Sequence, residues 1–258
     1  MLLLILSMYF GYMFRFFILV LGFFLVGCQE LGQSSEQKPP VGRLALSFDD
    51  TYIDGWHKSL DVFDKYDAQA TFFVTRYTMK VDNNELQDLL LDIQNRGHEI
   101  GFHTTYHHNG PEYVAENGMS EYLRVEIDLG MSSMLEDGFD VTSIAFPFGI
   151  TNEEINEELK DRFHKLRGFR SANFSDALSD GKGEYLMAAG IDAHVFNFDK
   201  IMDAIDEANE NGSLLILASH NIDDTCENSN WCITTSNLER VLDYAQSTGM
   251  AFVKFNEI

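Results

Sequence analysis

Residues 43–50 read RLALSFDD, an apolar run that stops at two adjacent carboxylates, Asp49 and Asp50. Such a run reads as a buried strand, and ATFFV (70–74), HEIGF (98–102), TSIAF (142–146), SLLILAS (213–219) and AFVKF (251–255) read the same way. Helical patterns lie between them. One falls near Trp56–Tyr66, with Leu60, Val62 and Phe63 turned inward, and one over Glu85–Arg96, with Leu86, Leu89, Leu90 and Ile93 at helical spacing. Others fall at Ile201–Asn209 and Leu238–Thr248. Strands alternating with helices predict a parallel sheet, open or closed into a barrel.

The strands stop at chemically useful residues. The first ends at Asp49-Asp50, the third at His103, a later one at Pro147-Phe148-Gly149, and the penultimate one at His220. In parallel α/β folds the C-terminal strand ends share one face, so polar groups far apart in sequence are expected to meet in one crevice.

Four of the eight histidines fall in HEIGFHTTYHH (98–108). On a helical turn His103 and His107 would lie about 40° apart, on one face, whereas His108 would lie about 140° round from His103. His98, at the strand start, reads as structural. An Asp beside two His makes a set that suits zinc or another divalent transition metal and leaves positions open for water. A second Asp next door can stay off the metal and act as a base. Read alone, these features have plainer meanings. Exposed histidine pairs are common, Asp49-Asp50 also suits a turn or an N-cap pair, and His220 also suits a core histidine bonded to backbone.

Composition narrows the function. The net charge of −23 repels phosphate backbones and disfavours nucleic-acid binding and simple adsorption to anionic lipid. Apolar content of 45% and charged content of 23% fit a globular domain. Residues 1–27 carry one charge, Arg15, and read as a lipoprotein signal peptide whose start is Met13 or Met1. Leu25-Val26-Gly27-Cys28 resembles a bacterial lipobox, which implies a lipidated Cys28 and a membrane-anchored protein of the bacterial cell envelope. An uncleaved anchor from Met1 is the other reading, and it would place Arg15 mid-helix at a cost of about 2.5–3.5 kcal/mol. Residues 28–42 read as a polar tether and 43–258 as the folded domain. With Cys28 lipidated, Cys226 and Cys232 remain for a local disulfide in an exported protein.

FDD (48–50), ATFFV (70–74), GHEIGFHTTYHH (97–108), FPFG (146–149) and LLILASH (214–220) resemble, in order and spacing, the motifs of the NodB-type polysaccharide deacetylases, carbohydrate esterase family 4. The resemblance implies a distorted (β/α)7-type barrel. It implies that Asp50, His103 and His107 hold one divalent metal (zinc, with cobalt or nickel as alternatives), that Asp49 is the base activating a metal-bound water, and that His220 is the acid that protonates the departing amine. The Phe148 backbone N–H, next to Pro147, would bind the oxyanion. Implied substrates are N-acetylated glycans such as chitin-like polymers, peptidoglycan or poly-N-acetylglucosamine, or O-acetylated xylan. Two positions depart from the pattern. The family's Arg two residues before the motif proline is Ala145 here, and the glycine after FDD is Thr51. Arg167 or Arg170 is expected to replace that Arg, with Arg170 carried as the candidate, and Asp192 is expected to tune His220. The missing Arg also motivates a non-catalytic glycan-binding reading, and the wider superfamily a cyclic-amide hydrolase. Substrate choice is expected to rest on residues 109–140 and 221–236.

Overall fold

The computed structural model describes residues 41–80 and 84–258. The expected signal peptide, the lipidated Cys28 and most of the tether lie outside the described residues. Among the described residues no helix is long and apolar enough to cross a membrane.

Seven parallel strands close on themselves. In chain order the strands are β1 (Arg43–Asp50), β2 (Ala70–Val74), β3 (Glu99–Phe102), β4 (Ser143–Ala145), β5 (Lys165–Ser171), β6 (Leu178–Ser179) and β7 (Tyr185–Gly190). They continue as β8 (Leu214–Ser219), β9 (Asn221–Asp223), β10 (Cys232–Thr234) and β11 (Ala251–Phe252). The ring runs β1-β2-β3-β4-β5-β7-β8 and is shut by six register pairs between β1 and β8, from Arg43↔Leu214 to Phe48↔Ser219. This is the (β/α)7 barrel that the sequence motifs imply. The short β6 and β11 pair with the starts of β8 and β1, and β9 and β10 form a separate two-stranded ladder.

The alternation of side chains along a strand sorts the core. Ala45, Phe73, Ala145, Leu186, Ala188, Ile216 and Ala218 point into the barrel, and Phe255 joins them from the chain's end. The other face of the strands packs under helices in a larger cluster that includes Phe48, Phe72, Ile100, Ile144 and Leu217. The expected strand at 251–255 is shorter than its apolar pattern. After Phe252 the chain turns across the barrel floor, where Phe255 N donates to Thr71 Oγ1 at 3.1 Å and Asn256 N to Glu99 Oε2 at 2.9 Å.

Two staves, β5 and β7, escape the sequence reading. In KLRGFRS the inward positions include Lys165 and Arg167, both buried, so the run lacks an apolar face to recognise. Lys165 Nζ is satisfied by the carbonyls of Gly181 and Gly183, at 2.9 and 3.0 Å. Residues 109–140 form a helical excursion over Gly110–Asn117, Met119–Tyr122 and Leu129–Glu136, interrupted by a π-helical turn at Leu123–Asp128.

Candidate active site

The seven C-terminal strand ends share one rim, and Asp49, Asp50, His103, His107, Phe148 and His220 line one cavity of about 390 Å³ there. Asp49 and His103 continue the inward-facing rows of β1 and β3. By alternation Asp50 should face the other way. Its φ of 85° turns the chain at the strand end, so consecutive carboxylates open onto the same cavity. A non-glycine residue in this region is strained, by about 1–3 kcal/mol.

The histidine pair converges, but not on a helical turn. Residues 103–109 are irregular, with Thr104 at φ 61° and His107 at φ 66°. The loop is fastened instead by its polar groups. Thr75 Oγ1 donates to Thr104 O at 3.0 Å, His107 N to Thr104 Oγ1 at 3.1 Å, and Thr105 N to Glu126 O at 2.9 Å. Glu126, fully buried on the π-helical turn, accepts from Tyr106 N at 3.2 Å and from His108 Nδ1 at 2.7 Å. It therefore grips the residues on both sides of His107. Sequence reasoning passed over Glu126, because nothing local marks an acid eighteen residues downstream as a clamp. His108 stacks on Tyr113 and stands outside the cluster, and His98 accepts from Ala70 N at 3.1 Å beneath the rings of Phe63 and Phe72.

His103 Nδ1 donates to Ala145 O at 2.8 Å, which leaves the Nε2 lone pair facing Asp50 Oδ1 at 3.8 Å. His107 Nε2 lies 3.4 Å from the same oxygen. Two donors on one zinc ion, each at roughly 2.0–2.1 Å, span up to about 4.2 Å, so both separations fit a shared cation. The three donor atoms lie within 4.8 Å of one another. Burial pushes both imidazoles down to about 4, so at neutral pH they are unprotonated donors. Burial raises the Asp50 pKa, helped by the neighbouring Asp49 charge and opposed by His220 and His107.

Asp49 is 3% exposed, and Arg167 Nη2 donates to both of its oxygens at 2.5 Å. Burial works to raise its pKa, but the Arg167 guanidinium, with His103 and His220, outweighs that and holds the carboxyl below its ordinary value. Arg167 is itself fully buried, with its guanidinium 5.1 Å from the Phe73 ring. Its register partner on β4 is Ala145, so the charge expected at 145 sits one strand over. Arg170 does not take that place. Three residues along β5 it faces outward, exposed, and pairs with Asp176 at 2.9 Å.

His220 follows β8. Its Nδ1 donates to Asp192 Oδ2 at 3.0 Å, its backbone N to Asp192 Oδ1 at 3.1 Å, and Ser219 Oγ to Asp192 Oδ1 at 2.7 Å. Burial draws the imidazole's pKa down, but Asp192 and the nearby Asp49 and Asp50 charges more than offset it, so it stands above the usual histidine value. Phe148 adopts φ 59° in the FPFG turn and is 61% exposed, its ring 4.8 Å from that of His107, while Pro147 is buried. Gly149 cannot be replaced, since a Cβ there would lie 2.3 Å from Phe169 O. Cys226 and Cys232 are joined, closing the loop beyond His220.

The sequence pattern described as polysaccharide deacetylase matches residues 36–164, half of the chain. No curated protein sequence matches. Among solved structures, the catalytic domain of peptidoglycan N-acetylglucosamine deacetylase from Eubacterium rectale is similar at 17% identity and TM-score 0.53, over 84% of this chain and 90% of that one. The chitin deacetylase from Colletotrichum lindemuthianum is similar at 18% identity and TM-score 0.55, over 84% and 87%. The Xyl-CE4 domain of a multidomain xylanase from the hindgut metagenome of Trinervitermes trinervoides reaches 18% and 0.55, over 84% and 89%. At these identities the likeness establishes the barrel, while the matched motifs establish kinship: the chain belongs to the polysaccharide deacetylase family, hydrolases of carbon–nitrogen bonds other than peptide bonds.

Proposed function

We propose that the domain at 43–258 removes N-acetyl groups from amino-sugar units of an envelope or extracellular polysaccharide. The observation that carries this reading is the convergence, round one cavity, of an ionised Asp49 held by Arg167, the Asp50-His103-His107 triad and a His220 held by Asp192. In this reading Asp50, His103 and His107 would hold one divalent ion, zinc by the donor set. Bound there, it would supply Lewis acidity to water and to the acetyl carbonyl.

The chain's own residues account for the proton transfers. Asp49 stays ionised at neutral pH and takes the proton from the attacking water. The Phe148 backbone N–H stabilises charge developing on the carbonyl oxygen. His220, with Nδ1 committed to Asp192 and a raised pKa, delivers its Nε2 proton to the nitrogen as the C–N bond breaks. The products are acetate and a free amine. The non-catalytic reading drew on Ala145, and Arg167 removes that argument, because Asp49 has its cation after all.

The proposal extends to the N-terminus, where a lipidated Cys28 and the tether would hold the domain at a bacterial membrane. The catalytic part is tested by acetate release from chito-oligosaccharides, peptidoglycan fragments and acetylated xylan, with chelator and His103→Ala as controls. Release from the N-acetylated glycans that both controls abolish supports the reading, whereas release from acetylated xylan alone would mark an O-deacetylase and count against it. No release from any of these by zinc-loaded protein would sink it.

A further inference from the structure

We propose that Trp231 is the stacking platform for a pyranose ring of the glycan, at the lip of the cavity beside His220. The class of ligand rests on the deacetylase reading above; the place rests on geometry. Trp231 lines the same cavity as Asp50 and His220. Its ring packs on that of His220 at 4.8 Å and 60°, and on that of His194 at 4.8 Å and 74°. Two imidazoles thus set the direction of the indole, yet 45% of the residue stays exposed. An indole left open at a cavity mouth offers flat apolar area that a ligand can cover.

The loop is fastened on both sides of this indole. Cys226–Cys232 closes it, Asn221 N donates to Trp231 O at 3.2 Å, and Ala193 N donates to Cys232 O at 2.7 Å. Trp231 N donates to Ser229 Oγ at 3.0 Å. A platform ordered before the ligand arrives loses little further freedom on binding. The axial C–H bonds of a pyranose give it a weakly polar face that lies flat on an aromatic ring, while its hydroxyl and acetamido groups turn toward polar neighbours. On the same cavity, beside His107, Phe148 presents a second exposed ring. The reacting sugar would thus be held by aromatic surfaces on the metal-triad side and on the acid side.

The protein carries its own reporter. It has two tryptophans, and the other, Trp56, is fully buried with Nε1 donating to His220 O at 2.8 Å. Tetra-N-acetylchitotetraose is titrated into the full chain after chelation, so that binding is read without turnover. The expected result is a saturable change in tryptophan emission that Trp231→Phe abolishes. By calorimetry Trp231→Phe should keep Kd within about three-fold, and Trp231→Ala should raise it about ten-fold or more, equivalent to about 1.4 kcal/mol. In zinc-loaded protein the same ten-fold loss should appear in KM more than in kcat. Parent and Trp231→Ala binding alike, a binding isotherm with no change in emission, or no saturable binding at all would overturn the platform. The two proposals fail separately: acetate release with a KM indifferent to Trp231→Ala defeats the platform alone. Binding as described without acetate release defeats the deacetylase reading alone.

Discussion

Replacing Arg167 by Met tests the part of the site that sequence motifs place elsewhere. Asp49 and Arg167 are 3% and 0% exposed, and the pair is closed by two 2.5 Å hydrogen bonds. Removing one partner of a buried pair leaves an uncompensated charge and costs about 3–5 kcal/mol. A domain of ordinary stability holds only about 5–15 kcal/mol in total, so urea unfolding should show a large fall in midpoint. The double variant Asp49→Asn/Arg167→Met should recover much of the loss, because the orphaned charge is gone.

Catalysis should move in a defined direction as well. In the parent, Asp49 titrates below 3.8, and its stabilisation is present above that pH and lost as pH falls through the folded value. Without Arg167 the effect of burial, which raises its pKa, is no longer outweighed by the guanidinium, so the acidic limb of the kcat/KM profile should climb toward neutrality. Unfolding within 1 kcal/mol of the parent, taken with an unmoved acidic limb, would refute this reasoning, since roughly 1.4 kcal/mol accompanies each unit of pKa.

Further outcomes follow from the same geometry. Asp192→Asn removes the charge that lifts His220 above 6.5, so the alkaline limb of kcat should shift to lower pH, and a limb that stays put would count against His220 as the acid. Glu126→Ala frees both neighbours of His107 and should weaken zinc binding roughly 10–100-fold in a competition with a chelating dye, as loss of a partner that orients a ligand usually does. Unchanged zinc affinity there would mean that the loop holds its shape without the clamp.

The barrel was legible because β1, β2, β3 and β8 are apolar runs ending in polar groups, and period-two alternation carries Asp49, His103 and His220 to one rim. β5 was not, since its inward face holds Lys165 and Arg167, whose burial is sustained by partners 16 to 118 residues away in the chain. The same alternation separates Arg167 from Arg170 once the strand is known, one facing in and the other out. The helical reading of HTTYH missed the loop because positive φ at Thr104 and His107 is imposed from outside, by Thr75 and the π-helical turn. Asp50 is similar, because its turn toward the cavity depends on a backbone conformation that residue type does not announce.

The most direct test is a zinc titration of chelated protein, read as acetate release from tetra-N-acetylchitotetraose. Activity should rise linearly and level at one equivalent, and His103→Ala should remain silent throughout, since Asp50, His103 and His107 form the one candidate metal cluster among the described residues. Full release from zinc-free protein, or from His103→Ala, would contradict the account.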